Sequence, residues 1–354
     1  MLKILITGGS GFVGTNLIES LIQDNVQILN IDITQPVVES HVSYWRQADI
    51  LDRKSLEDVI TQFNPEIIVH LAAVTDLDGK TLSYYRTNFE GTKNIIDIAA
   101  KLRSLRKVIY TSSMYVCQPG FIPSDYDTYK PHTLYGESKV KGEQLVKAIA
   151  NPNYNWIIVR PTSIWGPWFK IPYIDFFDVV YKGKYVNFGK TCTKTYGYIG
   201  NTVFQLRQLI SAEGIHERTF YLGDHPAIPI SDWANEISVE MGKGNIKSVP
   251  FALIRGAAIA GDILGSLKIK FPMTSFRLTN MTTNNVLPLD DIYQVAGELP
   301  FTRLEGVHNT LKWLKYYRGY NIKMKDVPDL PSDDVLFVNG YSDKTTTTVR
   351  ATVQ

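Results

Sequence analysis

Apolar positions along the first hundred residues follow two rhythms. Short apolar runs of strand length occur at LKILI from Leu2, VQILNID from Val26 and EIIVHLAA from Glu66 to Ala73, and between them apolar residues recur every three or four positions. FVGTNLIESLI has helical spacing, and DRKSLEDVITQF reads as an amphipathic helix capped by Asp52. VSYWRQADI, from Val42 to Ile50, predicts a third strand, SYYRTNFEGTKNIIDIAAKL a long helix, and KVIYTSS from Lys107 a further strand. Strands alternating with helices predict an α/β protein built on a doubly wound parallel sheet with right-handed crossovers. Ligands of such sheets bind outside the carboxyl ends of the strands, where Asp32, Asp49, Ala72, Ala73 and Thr111 to Ser113 all fall.

The turn after the first run is rich in glycine, TGGSGFVG from Thr7 to Gly14. Glycine at 8, 11 and 14 removes Cβ atoms where the chain must turn, where a pyrophosphate would approach the backbone, and where the helix packs on the strand. Amides at the start of that helix would face the phosphates, aided by the helix dipole. Strand, turn and helix in this order predict a dinucleotide site. Asp32 lies 18 residues beyond Gly14, near the spacing expected for the carboxylate that holds the adenosine ribose. An acid there repels a 2′-phosphate, and Ile33, Thr34 and Gln35 bring no cation to offset it, so NAD is expected rather than NADP.

Composition narrows the class. With 44% hydrophobic and 20% charged residues and a formal net charge of +2, the chain reads as a globular protein with no nucleic acid or membrane as partner. Two cysteines and no zinc-like spacing suit a reducing, cytoplasmic setting and no bound metal. The first strand begins at once, so no signal peptide is expected. FALIRGAAIAGDILG from Phe251 is apolar but carries Arg255 and Asp262; it predicts a buried or amphipathic helix, with membrane attachment the weaker reading.

YGESKVKGEQLVKAIA supplies the reactive chemistry. Tyr135 and Lys139 are four apart and share a helix face. A neighbouring ammonium group is expected to lower the tyrosine pKa, so that Tyr135 exchanges a proton with a substrate hydroxyl near neutral pH. Ser113, at the preceding strand end, is placed to hold the same oxygen. Cys117 reads as a packing residue, and His132 as structural or lining the site entrance.

Together these segments resemble the extended short-chain dehydrogenase/reductases of the NAD-dependent epimerase/dehydratase type. The matching pieces are TGGSGFVG, Asp32, ADI at Ala48 to Ile50, HLAA at His70 to Ala73, NFEGTKN at Asn88 to Asn94, YTSS at Tyr110 to Ser113, YGESK at Tyr135 to Lys139, and RPTSIWGP at Arg160 to Pro167. The resemblance implies a Rossmann-type fold and catalysis by Ser113, Tyr135 and Lys139. It implies NAD held by Gly8, Gly11, Phe12, Val13, Asp32, Asp49, Ile50, Leu71, Ala72, Ala73, Asn88, Thr111, Tyr135, Lys139 and Pro161. It also implies substrate contacts from Thr75, Tyr115, Ser163 and Lys194, and a homodimer through the helices near Asn94 and Val140.

Three departures from the family pattern bear on the reaction. Met114 and Tyr115 stand where dehydratases of the family carry an acidic pair, so elimination of water is not expected. Ser163 replaces an asparagine common in nucleotide-sugar enzymes, and Lys194 an arginine, while RPTSIWGP fits the steroid-type dehydrogenases equally well. The expected function is a nucleotide-sugar epimerase that oxidises a hydroxyl and re-reduces the ketone on its other face. The alternatives are a dehydrogenase or reductase of a sugar or steroid-like alcohol, and a regulator that senses NAD without catalysis.

Beyond Thr162 the alternation becomes irregular. Residues 1–162 are expected to form the cofactor domain, 163–320 a smaller mixed substrate-binding region with some segments returning to the sheet, and 321–354 a loosely held tail. The aromatic stretch Trp165 to Tyr185 reads equally as pocket wall or as packing between subdomains. TFYLGDHPAIPISDWANEISVEMG predicts a strand and a helix capped at Ser231, and TRLEGVHNTLKWLKYY a terminal amphipathic helix.

Overall fold

The computed structural model describes residues 1–150, 152–266 and 274–322, so most of the expected tail lies outside it. The first half runs β1 (Leu2–Thr7), α1 (Phe12–Leu21), β2 (Val26–Asp32), β3 (Trp45–Gln47), α2 (Arg53–Phe63), β4 (Ile67–His70), α3 (Glu90–Ala99), β5 (Lys107–Thr111), α4 (Leu134–Lys147) and β6 (Asn155–Pro161). The second runs β7 (Ser163–Trp165), α5 (Tyr173–Tyr181), β8 (Thr193–Lys194), β9 (Tyr196–Tyr198), α6 (Ile199–Ser211), β10 (Arg218–Leu222), β11 (Ile228–Pro229), α7 (Ile230–Glu240), α8 (Phe251–Ser266), α9 (Ser275–Thr282), α10 (Asp290–Ala296) and α11 (Arg303–Arg318). Seven parallel strands form the central sheet in the order β10-β6-β5-β4-β1-β2-β3.

Because side chains alternate along a strand, the sheet builds a core on each face. Ile4, Ile6, Val69, Ile109 and Ile157 pack with Leu17 and Ile18 of α1 and Val203 and Leu206 of α6. Leu5, Ile31, Ile68, Val108 and Ile158 pack with Leu56 and Ile60 of α2 and Ile95 and Ile98 of α3. β10, well past residue 162, pairs with β6, so the later chain completes the sheet.

Several elements differ from the pattern-based expectation. The third strand shrinks to three residues, because Glu39–Tyr44 is a 3₁₀ turn whose buried His41 pairs with Glu19 of α1 at 2.7 Å. β4 ends at His70: Leu71 N still donates to Thr7 O, but Ala72 N turns to the Thr7 hydroxyl. The long helix is broken, with a 3₁₀ turn over Leu82–Asn88 and α3 starting only at Glu90. The break accompanies the engagement of the Asn88 side chain with Val74 and Ser138. α7 begins at Ile230 without a side-chain cap, because β11 runs straight into it, and Ser231 donates to Asp232 instead.

Most of the aromatic stretch is packing: Trp165, 1% exposed, meets Phe177, Tyr198 and Trp233 with ring centres 5.1–6.1 Å apart. α8 buries Ala258 and Gly261, but Leu253, Ile259 and Ile263 of its outer side are exposed. It is apolar on both sides rather than amphipathic.

Candidate active site

The glycine turn is shaped by its own backbone. Gly8 adopts φ +72°, and a Cβ there would sit 2.6 Å from Ala72 N; a Cβ on Gly14 would sit 2.5 Å from Gly8 O. Any larger residue would push the turn away from β4 or α1 from the turn. α1 has Gly11 as its N-cap and no side-chain cap, which leaves its first turn facing the cavity described below. Asp32, at the end of β2, accepts from Ser10 N at 3.1 Å and from Thr34 N at 2.9 Å, tying the strand end to the turn.

A cavity of about 570 Å³ opens along the carboxyl edge of the sheet. Most of the residues singled out from sequence line it: Gly8, Gly11, Phe12, Val13, Asp32, Asp49, Ile50, Leu71, Ala72, Ala73, Thr111, Ser113, Tyr135, Lys139 and Pro161, with Thr75 and Tyr115. Asn88, Ser163 and Lys194 do not line it. Asn88 is buried behind the wall, accepting from Val74 N at 2.8 Å and donating to Val74 O and Ser138 Oγ, each at 2.9 Å. Ser163 hydrogen-bonds with the Tyr173 hydroxyl. Lys194 pairs in β8 with β11, and burial lowers its pKa. Val140 is buried and Asn94 donates to Ile50 O, so both residues marking the expected dimer face are engaged within the chain.

At one end of the cavity, Thr133 caps α4 by accepting from Gly136 N at 3.0 Å, so Tyr135 and Lys139 lie in the first turns of a well-ended helix. Ser113 hydrogen-bonds the Tyr135 phenol and also accepts from Tyr115 N at 3.2 Å. Lys139 Nζ donates to Thr111 O at 3.0 Å and lies 5.9 Å from the Tyr135 ring centre. The electrostatics differ from expectation. Burial pushes Tyr135 up to about 12, partly opposed by the Ser113 hydrogen bond, and burial also brings Lys139 down to about 8, with Glu143 pulling it back up. Desolvation outweighs any acidification of Tyr135 by its neighbours in the protein alone.

The donors suit a dinucleotide. Thr111 Oγ1 and Ser112 Oγ are buried at the cavity wall without a protein hydrogen-bond partner, in an interior where such groups are normally paired. The glycine turn, the carboxylate of Asp32 and the small wall of Ala72 and Ala73 leave room along the strand ends. Among the described residues, no group of His, Cys, Asp or Glu could hold a metal. Cys117 is buried, and burial raises its pKa, as suits a packing residue. His132 stacks on Tyr115 at 5.8 Å.

A supporting network escaped the sequence reading. Ala72 N donates to Thr7 Oγ1, Thr7 bonds His70 Nδ1 at 2.7 Å, His70 Nε2 bonds Thr92 Oγ1 at 3.1 Å, and Thr92 donates to Asn88 O. With Thr92 spent as donor, His70 must be the Nε2–H tautomer, and the chain holds the Ala72 wall in place. Burial lowers the His70 pKa to about 3, keeping it neutral. Arg160 forms a second buried support, bridging to Glu143 of α4 at 2.7 and 2.8 Å among the rings of Tyr126, Tyr129 and Tyr221. The residue types gave no hint of either, because, apart from Thr92 and Asn88, the partners lie 17 or more residues apart.

The chain is similar in sequence and fold to known proteins. The chain is 24% identical over 319 residues to the N-acetyl-alpha-D-glucosaminyl-diphospho-ditrans,octacis-undecaprenol 4-epimerase of Escherichia coli O157:H7, spanning 88% of this chain and 95% of that protein. It is 27% identical over 346 residues to the decarboxylating sterol-4-alpha-carboxylate 3-dehydrogenase of Candida albicans, spanning 88% of this chain and 97% of that one. The UDP-glucuronic acid 4-epimerase from Bacillus cereus, solved in complex with NAD, shares the fold with a TM-score of 0.69 at 18% identity, over 89% of this chain and 96% of its own. Residues 4–175 match the sequence model of the NAD dependent epimerase/dehydratase family.

Proposed function

We propose that this protein uses NAD to interconvert a secondary alcohol and its ketone in the cavity at the strand ends. The observation that carries the reading is the Ser113–Tyr135 hydrogen bond at the cavity wall, with Lys139 held beside it on Thr111 O. The glycine turn, Asp32 and the Ala72–Ala73 wall would hold the cofactor, and the Asp32 carboxylate favours NAD over NADP. When bound, NAD supplies the hydride acceptor and a positively charged ring. Tyr135 takes the hydroxyl proton as the carbinol carbon is oxidised and returns one on reduction, while Ser113 holds the substrate oxygen. Lys139, with a pKa of about 8, is mostly charged at neutral pH and favours the phenolate when Tyr135 ionises.

We take the substrate to be a nucleotide sugar and the net reaction to be epimerisation, in which the ketone turns over in the site and is reduced on its other face. The two 4-epimerases among the proteins above support this, as does the absence of an acidic pair at Met114 and Tyr115, which argues against dehydration. A second reading, dehydrogenation of an apolar alcohol, is favoured by one observation: Ser163 and Lys194 lie off the cavity, whose wall includes Leu77, Phe169, Ile171 and Pro172. The sterol dehydrogenase of Candida albicans supports that reading. Two buried free cysteines suit a cytoplasmic setting for either.

One assay separates them. Purified protein with NAD is given a panel of nucleotide sugars and of sterols while absorbance at the NADH band is followed and products are analysed. Epimerisation gives isomerised sugar with no accumulating NADH; stoichiometric NADH with a ketone product establishes the dehydrogenase instead. The Tyr135→Phe variant is expected to lose turnover by about 10²–10⁴-fold. Unchanged turnover in that variant would remove the catalytic assignment.

A further inference from the structure

α8 has no polar outer face. At 100° per residue, Ala258 and Gly261 mark its buried side, and Ala252, Leu253, Gly256, Ile259, Ala260 and Ile263 share the opposite, exposed side. Leu253 is 65% and Ile259 49% exposed, unusual values for large apolar side chains on neighbouring turns. Arg255 and Asp262 border the apolar strip, and the Asp262 carboxylate is engaged in capping Ser275 N at 3.0 Å.

Charge says what this strip meets. Residues 241–280 contain six Lys or Arg, namely Lys243, Lys247, Arg255, Lys268, Lys270 and Arg277, against one acid, Asp262. That segment is +5 in a chain whose net charge is +2, so the remainder is negative. A second copy pairing through the same patch would set these like charges against each other. The helix spans about 24 Å, less than a hydrocarbon core of about 30 Å, and among the described residues no helix is long and apolar enough to cross a membrane. An apolar strip with basic flanks is instead the composition of a helix that lies in the headgroup layer.

We propose that α8 docks this protein on an anionic lipid bilayer surface, with Leu253, Ile259 and their small neighbours in the acyl boundary and the exposed Lys247 and Arg255 on the lipid headgroups. The proposal does not depend on the identity of the alcohol. α8 is tied to α9 by the Asp262 cap, and the segment after α9 reaches the active-site wall: Thr283 O accepts from Cys192, Asn284 from Thr193 N, and Asn285 Nδ2 lies 3.7 Å from Met114 Sδ, one residue past Ser113. Surface attachment of this kind goes beyond the sequence-based expectation of no membrane partner and needs no crossing helix.

The full-length protein is floated with vesicles of phosphatidylcholine alone and with 30% (about one third) phosphatidylserine, at low and high salt. Binding to the anionic vesicles is expected, falling about fivefold for each cation removed, as in Arg255→Ser and Lys247→Ser. Leu253→Glu with Ile259→Glu should abolish it while leaving NAD-induced thermal stabilisation unchanged, which shows that the variant is folded. Absence of binding to anionic vesicles, or equal binding to both vesicle types, overturns the proposal. So does equal binding by the double variant, or a parent that ignores vesicles but dissociates into monomers on the double substitution, which would assign the strip to a second copy.

Discussion

Replacing Glu143 with Gln tests the fold and the site at once. Glu143 sits one helical turn beyond Lys139 on α4, and its side chain and that of Arg160 are 1% and 0% exposed. Arg160 donates to both carboxylate oxygens, to Tyr126 O and to the Tyr221 hydroxyl, so its charge is met almost entirely by one buried anion. Removing that anion leaves a guanidinium without a counter-charge in the interior, at a cost of about 3–5 kcal/mol. With an unfolding entropy of about 2.1 cal/mol/K per residue over this chain, the midpoint should fall by about 4–7 °C. Glu143 also holds the Lys139 pKa up, so its loss should lower that pKa further below about 8 and shift the activity limb that needs charged Lys139 towards acid. Differential scanning calorimetry and a pH–rate profile read the two effects. Glu143→Leu combined with Arg160→Met, which removes both charges, should recover most of the stability. A melting point unchanged in Glu143→Gln would refute the reasoning, and a lowered melting point with an unmoved pH limb would refute its electrostatic half.

Three further expectations follow from the same structure. Gly8→Ala forces a side chain into a left-handed conformation with its Cβ 2.6 Å from Ala72 N, and if the turn relieves that strain of about 1–2 kcal/mol by moving off its phosphate-binding shape, NAD affinity measured by calorimetric titration should fall about 5–30-fold. Asp32→Ser removes the carboxylate that repels a 2′-phosphate, and the ratio of kcat/KM for NAD over NADP should drop; an unchanged ratio means another group reads the ribose. His70 has its pKa lowered from 6.5 to about 3 by burial, so its contribution to stability is complete above pH 6.5 and is lost progressively as pH falls towards 3. Urea unfolding should show about 3 kcal/mol of this loss between pH 7 and pH 4, and His70→Gln should lose less over the same interval.

How much the linear chain determined depended on how local each cause is. Strand runs, the glycine turn, the acid ending β2 and the Tyr135–Lys139 pair all express themselves within one element, and nearly all of their residues meet in one cavity. Their chemistry needed only a periodicity of 2 or 3.6 and the right residue at an element's end. Tertiary structure decided what depends on neighbours distant in sequence. His41 is drawn to Glu19 and shortens β3; the Asn88 side chain bridges Val74 and Ser138 beside the break before α3; Thr7, His70 and Thr92 join across 63 and 22 residues to brace the Ala72 wall. Ser163 and Lys194 looked poised for a substrate, but Tyr173 and the β8–β11 pair hold them off the cavity. Burial set the Tyr135 pKa against the expected direction and lowered that of Lys139, since desolvation is a property of everything packed around a group and not of its neighbours in the chain. For the same reason the apolar run at Phe251 could be read as a helix from its spacing alone, while only the packing around Ala258 and Gly261 showed which of its apolar sides faces outward.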